Sequence, residues 1–192
     1  HDTEVWAPNL DLSMFCMRSA ESLSRELFDK IERKLESMPA IRRIILLGYS
    51  SGSVLVRRVF CMAHGARADG TIGDRKASWA DMIDRVVMLS SITRGWEQSS
   101  AAPAHVRFIA PILEFIANTV GWLKRLAGSA EADKPFIQQL RRGAPFVVAT
   151  RIQYVKVFEA LRARCDLPPN SILRAAGLPS TIFLLGAKDE YV

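Results

Sequence analysis

The 192-residue chain is nearly half apolar and carries a formal net charge of +6. This length and composition are typical of a globular chain with one well-formed core, and they exclude a low-complexity or disordered chain. The three cysteines are far apart and have no CxxC spacing, which argues against a disulfide framework or a zinc site. The longest apolar stretch, 108–120, is too short and too interrupted to span a bilayer.

The excess positive charge lies in one part of the chain. Residues 92–180 contain twelve lysine or arginine residues against six acidic ones, and the remainder is balanced. Because these basic residues are scattered along apolar segments, we expect no nucleic-acid partner; a basic surface that contacts anionic lipid at the membrane periphery fits the pattern better. Since no signal segment is recognisable and reduced thiols fit an intracellular compartment, we expect a cytoplasmic protein.

The hydrophobic pattern predicts alternating strands and helices. In chain order these are a strand at 4–8, an amphipathic helix at 19–38, a strand at 41–47, a helix at 51–66, and strands at 84–91 and 181–185. The last three strands are nearly continuous apolar runs, as in buried parallel strands. The alternation is typical of an α/β fold in which a mostly parallel sheet carries helices on both faces.

About ninety residues separate the last two predicted strands, and they show helical periodicity. The predicted helices are 111–126, 134–140, 145–165 and 171–176. We interpret this interval as a helical cap inserted at the edge of the sheet, because a structureless loop of this length is uncommon. The predicted organisation is a core at 1–91, a helical cap or lid at 92–180, and a return to the core at 181–192.

The most specific motif is Gly48-Tyr49-Ser50-Ser51-Gly52, between a predicted strand and a predicted helix. GxSxG in this position fits a nucleophile elbow, a strained turn that projects the serine oxygen out of the sheet. Ser50 is then the candidate nucleophile and the backbone N–H of Ser51 the candidate oxyanion donor. We expect Gly48 and Gly52 to lie where a Cβ would collide with its neighbours. The alternative is an ordinary glycine-rich turn with serine as helix cap.

These residues resemble the lipase and esterase side of the α/β-hydrolase superfamily. The similar segments are Trp6 to Leu10 ahead of the first helix, Ile44 to Gly52 at the elbow, Val86 to Ser91 in the next strand, and Ile182 to Val192 with its G-x-x-D-x-x-V turn. The resemblance implies an incomplete α/β-hydrolase core, with Asp189 as the triad acid in the order Ser…Asp…His. Ser50 and Asp189 both follow predicted strands, so we expect them at the same edge of the sheet.

The histidine of this family has no counterpart in its usual place. The chain contains His1, His64 and His105. His64 is predicted at the far end of the helix that begins after Ser50, where a cation would suit the helix dipole. His105 would depart from the family's order. We therefore expect the sequence to be a piece of a longer protein, with the histidine beyond Val192 and the second oxyanion donor ahead of Glu4.

Apolar residues recur at helical spacing in 108–123, and they either pack the cap or line a pocket for an acyl group. The candidate pocket residues are Tyr49, Trp96, Ile112, Phe115 and Ile116. The sequence thus predicts a serine hydrolase that cleaves carboxylic esters or thioesters of apolar acyl groups through an acyl-enzyme on Ser50, without a metal or organic cofactor. The alternative is a non-catalytic lipid- or partner-binding module built on the same fold.

Overall fold

A small open sheet of three parallel strands organises the chain. In this computed structural model the described residues are 3–10, 12, 16–96, 119, 134–165 and 179–184. The strands are β1 (Ile44–Tyr49), β2 (Ile83–Leu89) and β3 (Ser180–Leu184), in the order β1-β2-β3. The helices are α1 (Ala20–Glu36), α2 (Ser51–Ala63), α3 (Phe136–Gln139) and α4 (Pro145–Arg164), and a 3-10 turn at Ala80–Met82 precedes β2. The predicted α/β class with a parallel sheet is confirmed.

The helix that follows β1 lies at the centre of the core. One face of the sheet, built by Leu46, Val86 and Met88, is buried, and α2 packs across it. Every residue of α2 from Ser53 to Ala63 is buried, because α1 and α4 pack on its other sides. A helix that is buried all round must be apolar on every side, and the sequence SGSVLVRRVFCMA is apolar except for its serines and two arginines.

The second arginine of α2 is buried and paired. The Arg58 side chain is only 2% exposed. Its Nε and Nη2 donate to the two carboxylate oxygens of Glu21 on α1, at 2.8 and 2.7 Å, and its Nη1 donates to the side-chain oxygen of Gln153 on α4. The Gln153 amide in turn donates to the Arg67 carbonyl at 3.0 Å. We call these hydrogen bonds of Arg58 the Arg58 fork. The fork joins α1, α2 and α4, and it pairs a buried cation that would otherwise be costly to bury.

The opposite face of the sheet is not covered by the described helices. Ile45, Leu47 and Tyr49 alternate with the buried residues of β1 and are 54%, 57% and 67% exposed. Their partners in register on β2 are Arg85, Val87 and Leu89. The prediction of helices on both faces is therefore not met within the described residues, where the helices lie on one face only.

The predicted strand at 4–8 is wrong. Residues 3–10 form no strand, and Val5 is 91% exposed. Side chains of α1 hold this segment instead. Lys34 pairs with Glu4 at 2.7 Å, and the Lys30 ammonium donates to the carbonyl of Asn9. The segment is therefore held by α1 and does not pair with β1 as a strand.

Other predicted boundaries of helices differ from the observed ones by a few residues. The first helix begins at Ala20 because Ser19 caps it, with the Ser19 Oγ accepting from the N–H of Ser22 at 2.9 Å. The α2 helix ends at Ala63 rather than 66, since Gly65 takes a left-handed conformation with φ +89°. The predicted helices at 134–140 and 145–165 are present as α3 and α4, whereas 171–176 and all of 111–126 except residue 119 lie outside the described residues.

The described parts of the chain contain no helix that is both long and apolar enough to cross a membrane. The three cysteines are free thiols, with Cys16 and Cys61 buried and Cys165 exposed. Burial raises the pKa of Cys61 to about 12, so this thiol is a core residue rather than a nucleophile.

The Arg58 fork yields a test of how the helices are held together. We expect Glu21→Ala to lower the free energy of unfolding by about 2–4 kcal/mol, because it leaves a buried guanidinium without its carboxylate. Glu26→Ala, on the same helix, removes partly exposed contacts to Arg18 and Lys30 and should cost less than about 1 kcal/mol. Urea denaturation at pH 7 measures both. Equal losses in the two variants would contradict the role given to the fork.

Candidate active site

The turn between β1 and α2 places Ser50 in a strained conformation. Its backbone dihedrals are φ 49° and ψ −118°, and among the described residues other than glycine only Ser50 and Ser90 have positive φ. Such a conformation costs about 1–3 kcal/mol and persists only when its surroundings enforce it. The strain lies at the one serine that the sequence predicts as nucleophile.

Hydrogen bonds hold the Ser50 backbone from both sides. Its N–H donates to the carbonyl of Leu89, the last residue of β2, at 3.0 Å. Its carbonyl accepts from the N–H of Ser53 at 3.1 Å and from the Ser53 hydroxyl. The Ser50 side chain makes no capping hydrogen bond to α2, which disfavours the alternative of an ordinary serine helix cap. The Ser50 hydroxyl is therefore not engaged in a capping hydrogen bond to the helix that follows it.

The two motif glycines differ in what surrounds them. A Cβ on Gly48 would lie 2.6 Å from the Cα of Ser53 and 2.7 Å from the carbonyl oxygen of Gly52. These are backbone atoms of α2, so the close approach of strand and helix requires glycine here. A Cβ on Gly52 would meet no atom within 4 Å among the described residues. The expected collision is thus found at Gly48, and the expectation for Gly52 is wrong within the described residues.

The first turn of α2 presents the backbone N–H of Ser51 beside Ser50. Ser51 is the first residue of the helix, and the first N–H groups of a helix have no partner within it. The first turn carries no acidic side chain, so the partial positive charge of the helix terminus is not offset locally. This arrangement suits a negative oxygen next to Ser50.

His64 is a core residue and not a base for Ser50. It lies at the opposite end of α2, is buried, and its ring contacts the Phe60 ring at a centroid distance of 4.6 Å. Burial lowers the pKa of His64 to about 4. The predicted place of His64 at the end of the helix is confirmed. A cation there is not favoured, because desolvation outweighs the attraction of Asp81 and the ring is neutral at pH 7.

Two of the candidate pocket residues are described. Tyr49 lies on the open face of the sheet, next to Ser50 and away from α2. The backbone N–H of Trp96 donates to the Leu140 carbonyl at 3.0 Å and its indole N–H to the Ile137 carbonyl at 2.6 Å. The guanidinium of Arg141 lies over its ring at 5.5 Å. Trp96 thus anchors the chain after β2 to α3 and to the residues just after it.

The remaining candidates lie outside the described residues. They are the proposed acid Asp189, the pocket candidates Ile112, Phe115 and Ile116, and the histidines His1 and His105. Among the described residues, no three His, Cys, Asp or Glu side chains form a group that could hold a metal ion.

Sequence reasoning missed Arg57, which connects α2 to the chain beyond β2. Its Nη1 donates to the Thr93 carbonyl at 3.4 Å, and its guanidinium lies 4.2 Å from the centre of the Tyr154 ring. Burial lowers the Arg57 pKa. The Tyr154 hydroxyl hydrogen-bonds to Thr181 of β3. The only signal in the sequence was a pair of arginines in an otherwise apolar helix.

No protein-family model, curated protein or solved structure significantly matches this chain. The case for its function therefore rests on its own residues and their geometry.

Gly48 and Gly52 form a matched pair for testing the tight turn from β1 to α2 at Ser50, which we call the corner. We expect Gly48→Ala to lower the free energy of unfolding by about 2–3 kcal/mol, since backbone atoms of α2 would have to move. Gly52→Ala should be neutral or stabilise the fold by up to about 1 kcal/mol, because alanine is the better helix former and space is open. Thermal and urea unfolding compare them, and a Gly48→Ala protein as stable as Gly52→Ala would refute the close approach.

Neutral His64 predicts a pH dependence of stability. Its pKa is lower in the folded chain, about 4 against 6.5 in the unfolded chain, so the unfolded state binds more protons between these values. The His64 contribution is complete above pH 6.5 and is lost as the pH falls toward 4, by up to about 3 kcal/mol. The unfolding free energy of His64→Gln should fall less over this window. Parallel curves for the two proteins would show that His64 titrates normally.

Proposed function

We propose that the chain is a serine hydrolase with an α/β-hydrolase core, and that it cleaves carboxylic esters or thioesters of apolar acyl groups. One observation, the geometry of the turn at Ser50, carries the proposal. Ser50 has positive φ at the junction of a parallel strand and a helix, its side chain does not cap that helix, and a Cβ at Gly48 would collide with it. A nucleophile elbow needs each of these features, and an ordinary βα turn needs none of them.

The chemistry follows from the position of the hydroxyl. The Ser50 Oγ attacks the acyl carbon, a base accepts the hydroxyl proton, and the carbonyl oxygen becomes negative. The N–H of Ser51 at the positive end of α2 stabilises that oxygen. Collapse of the tetrahedral intermediate expels the alcohol or thiol, which takes up the proton and leaves an acyl-enzyme. Water then attacks this ester, releases the carboxylic acid and returns the proton to Ser50.

The proposal requires a base and an acid to orient it. His64 is unsuited because it is buried at the other end of α2. The family resemblance assigns the acid to Asp189 and places the histidine after it in chain order. An imidazole there would accept the Ser50 proton, and the Asp189 carboxylate would stabilise the resulting cation.

Fluorophosphonate labelling tests the nucleophile directly. We expect the natural polypeptide that carries this sequence to form an adduct that peptide mass mapping locates on Ser50. In Ser50→Ala the labelling rate should fall by at least about 1000-fold, because the attacking oxygen is lost. A folded protein that is not labelled, or one labelled at another serine, would refute the proposal.

Ser90 provides a matched control. It also has positive φ, 43°, and it also follows the end of a parallel strand, with its N–H donating to the Leu184 carbonyl at 2.9 Å. No described helix begins at the residue after it, so it lacks the donors and dipole that Ser51 supplies. We expect Ser90→Ala to be labelled at the rate of the unchanged protein.

A further inference from the structure

A groove along α4 combines an apolar floor with a cationic rim. It encloses a volume of about 810 Å³, which is within the usual range for small-molecule sites of roughly 300–1,000 Å³. We call it the α4 groove. Its lining includes three exposed aliphatic side chains, Val148, Ile152 and Val155, which we call the floor, and three exposed basic side chains, Arg94, Arg151 and Lys156, which we call the rim. Ser50 does not line it.

The floor exposes aliphatic side chains in a row. Val148, Ile152 and Val155 lie four and three residues apart, so they share one face of the helix. They are 43%, 52% and 50% exposed. Three adjacent exposed aliphatic residues in the lining of a groove form an apolar strip, which favours a ligand with an alkyl portion.

The rim is positive and carries no acidic residue. Arg151 and Lys156 come from α4, and Arg94 comes from the chain just after β2. All three are exposed, and none has an ion-pair partner in the described part of the chain. No Asp or Glu lines the groove. The charge therefore complements an anion whose apolar part lies on the aliphatic strip.

We propose that the α4 groove binds one molecule of a single-chain anionic amphiphile, a long-chain carboxylate. The rim holds the carboxylate and the floor holds the alkyl chain. A concave groove suits one ligand molecule better than a bilayer, which meets protruding apolar side chains. This binding does not depend on Ser50, so it extends beyond the proposed hydrolase and survives if that proposal fails.

The position of Arg94 connects the groove to the core of the fold. The carbonyl of its neighbour Thr93 accepts the hydrogen bond from buried Arg57 of α2. The rim is therefore built from two segments, the loop after β2 and the helix α4. The buried side chain of Arg57 links that loop to α2, on which α4 also packs. All three cations line the groove in the structure as it stands.

Titration calorimetry with sodium dodecanoate below its micelle concentration tests the proposal. The natural polypeptide carrying Ser50→Ala serves as background, so that turnover cannot interfere. We expect saturable one-to-one binding, and at least about tenfold weaker binding of octanoate, because each buried CH₂ contributes up to about fourfold in affinity. Methyl dodecanoate, which lacks the charge, should also bind more weakly.

Matched charge reversals locate the site. Arg151→Glu with Lys156→Glu should weaken dodecanoate binding at least about tenfold. Arg25→Glu with Arg75→Glu makes the same change in net charge at exposed residues outside the groove, and it should change affinity less than about twofold. Ile152→Asp places a charge on the floor of the groove. It should weaken dodecanoate binding and abolish the preference for dodecanoate over octanoate. Circular dichroism confirms that each variant is folded.

Three outcomes would overturn the proposal. The first is no dodecanoate binding by the folded protein. The second is unchanged affinity in the groove variants. The third is cosedimentation with phosphatidylserine vesicles, lost in the groove variants, without binding of dodecanoate, which would assign the surface to a bilayer. Fluorophosphonate labelling of Ser50 is independent of all three, so failure here does not decide the proposed hydrolase.

Discussion

The constraint on which the structure depends is the abrupt change from strand to helix at Ser50. The chain has no room for a loop there, because β1 ends at Tyr49 and α2 begins at Ser51. A turn this tight forces a positive φ at the residue between them and brings α2 within van der Waals contact of Gly48. The hydrogen bond from Ser50 to the Leu89 carbonyl fixes the corner to the neighbouring strand. The strain is thus held by the sheet on one side and the helix on the other.

The helix that starts at this corner also holds the other helices in place. It is buried on every side, and Arg58 on it joins α1 through Glu21 and α4 through Gln153. A rigid α2 is what keeps the Ser51 N–H at a fixed position beside Ser50, and catalysis by a prearranged dipole requires such rigidity. The same helix, through Arg57, positions the loop that contributes Arg94 to the α4 groove. Both proposed sites therefore depend on one buried element.

Much of this could be predicted from the sequence, and the failures have physical causes. Continuous apolar runs were sufficient to predict β1, β2 and β3, and the GxSxG spacing was sufficient to predict the tight turn from β1 to α2, since local pattern alone determines them. The segment at 4–8 has strand-like composition, but contacts of Glu4 and Asn9 with α1 decide its course. His64 lies at the helix end that the sequence predicts, but its neutral ring could not be predicted, because its burial depends on packing by residues distant in sequence. The α4 groove was missed because its rim joins Arg94 to residues more than fifty positions away.

A crystal structure of the natural polypeptide after reaction with a p-nitrophenyl alkylphosphonate would test the central claim most directly. The account predicts a covalent bond from the Ser50 Oγ to phosphorus, Ser50 still at positive φ, and a phosphoryl oxygen within hydrogen-bonding distance of the Ser51 N–H. An unmodified Ser50 in a relaxed conformation, or a phosphoryl oxygen directed away from the start of α2, would contradict it.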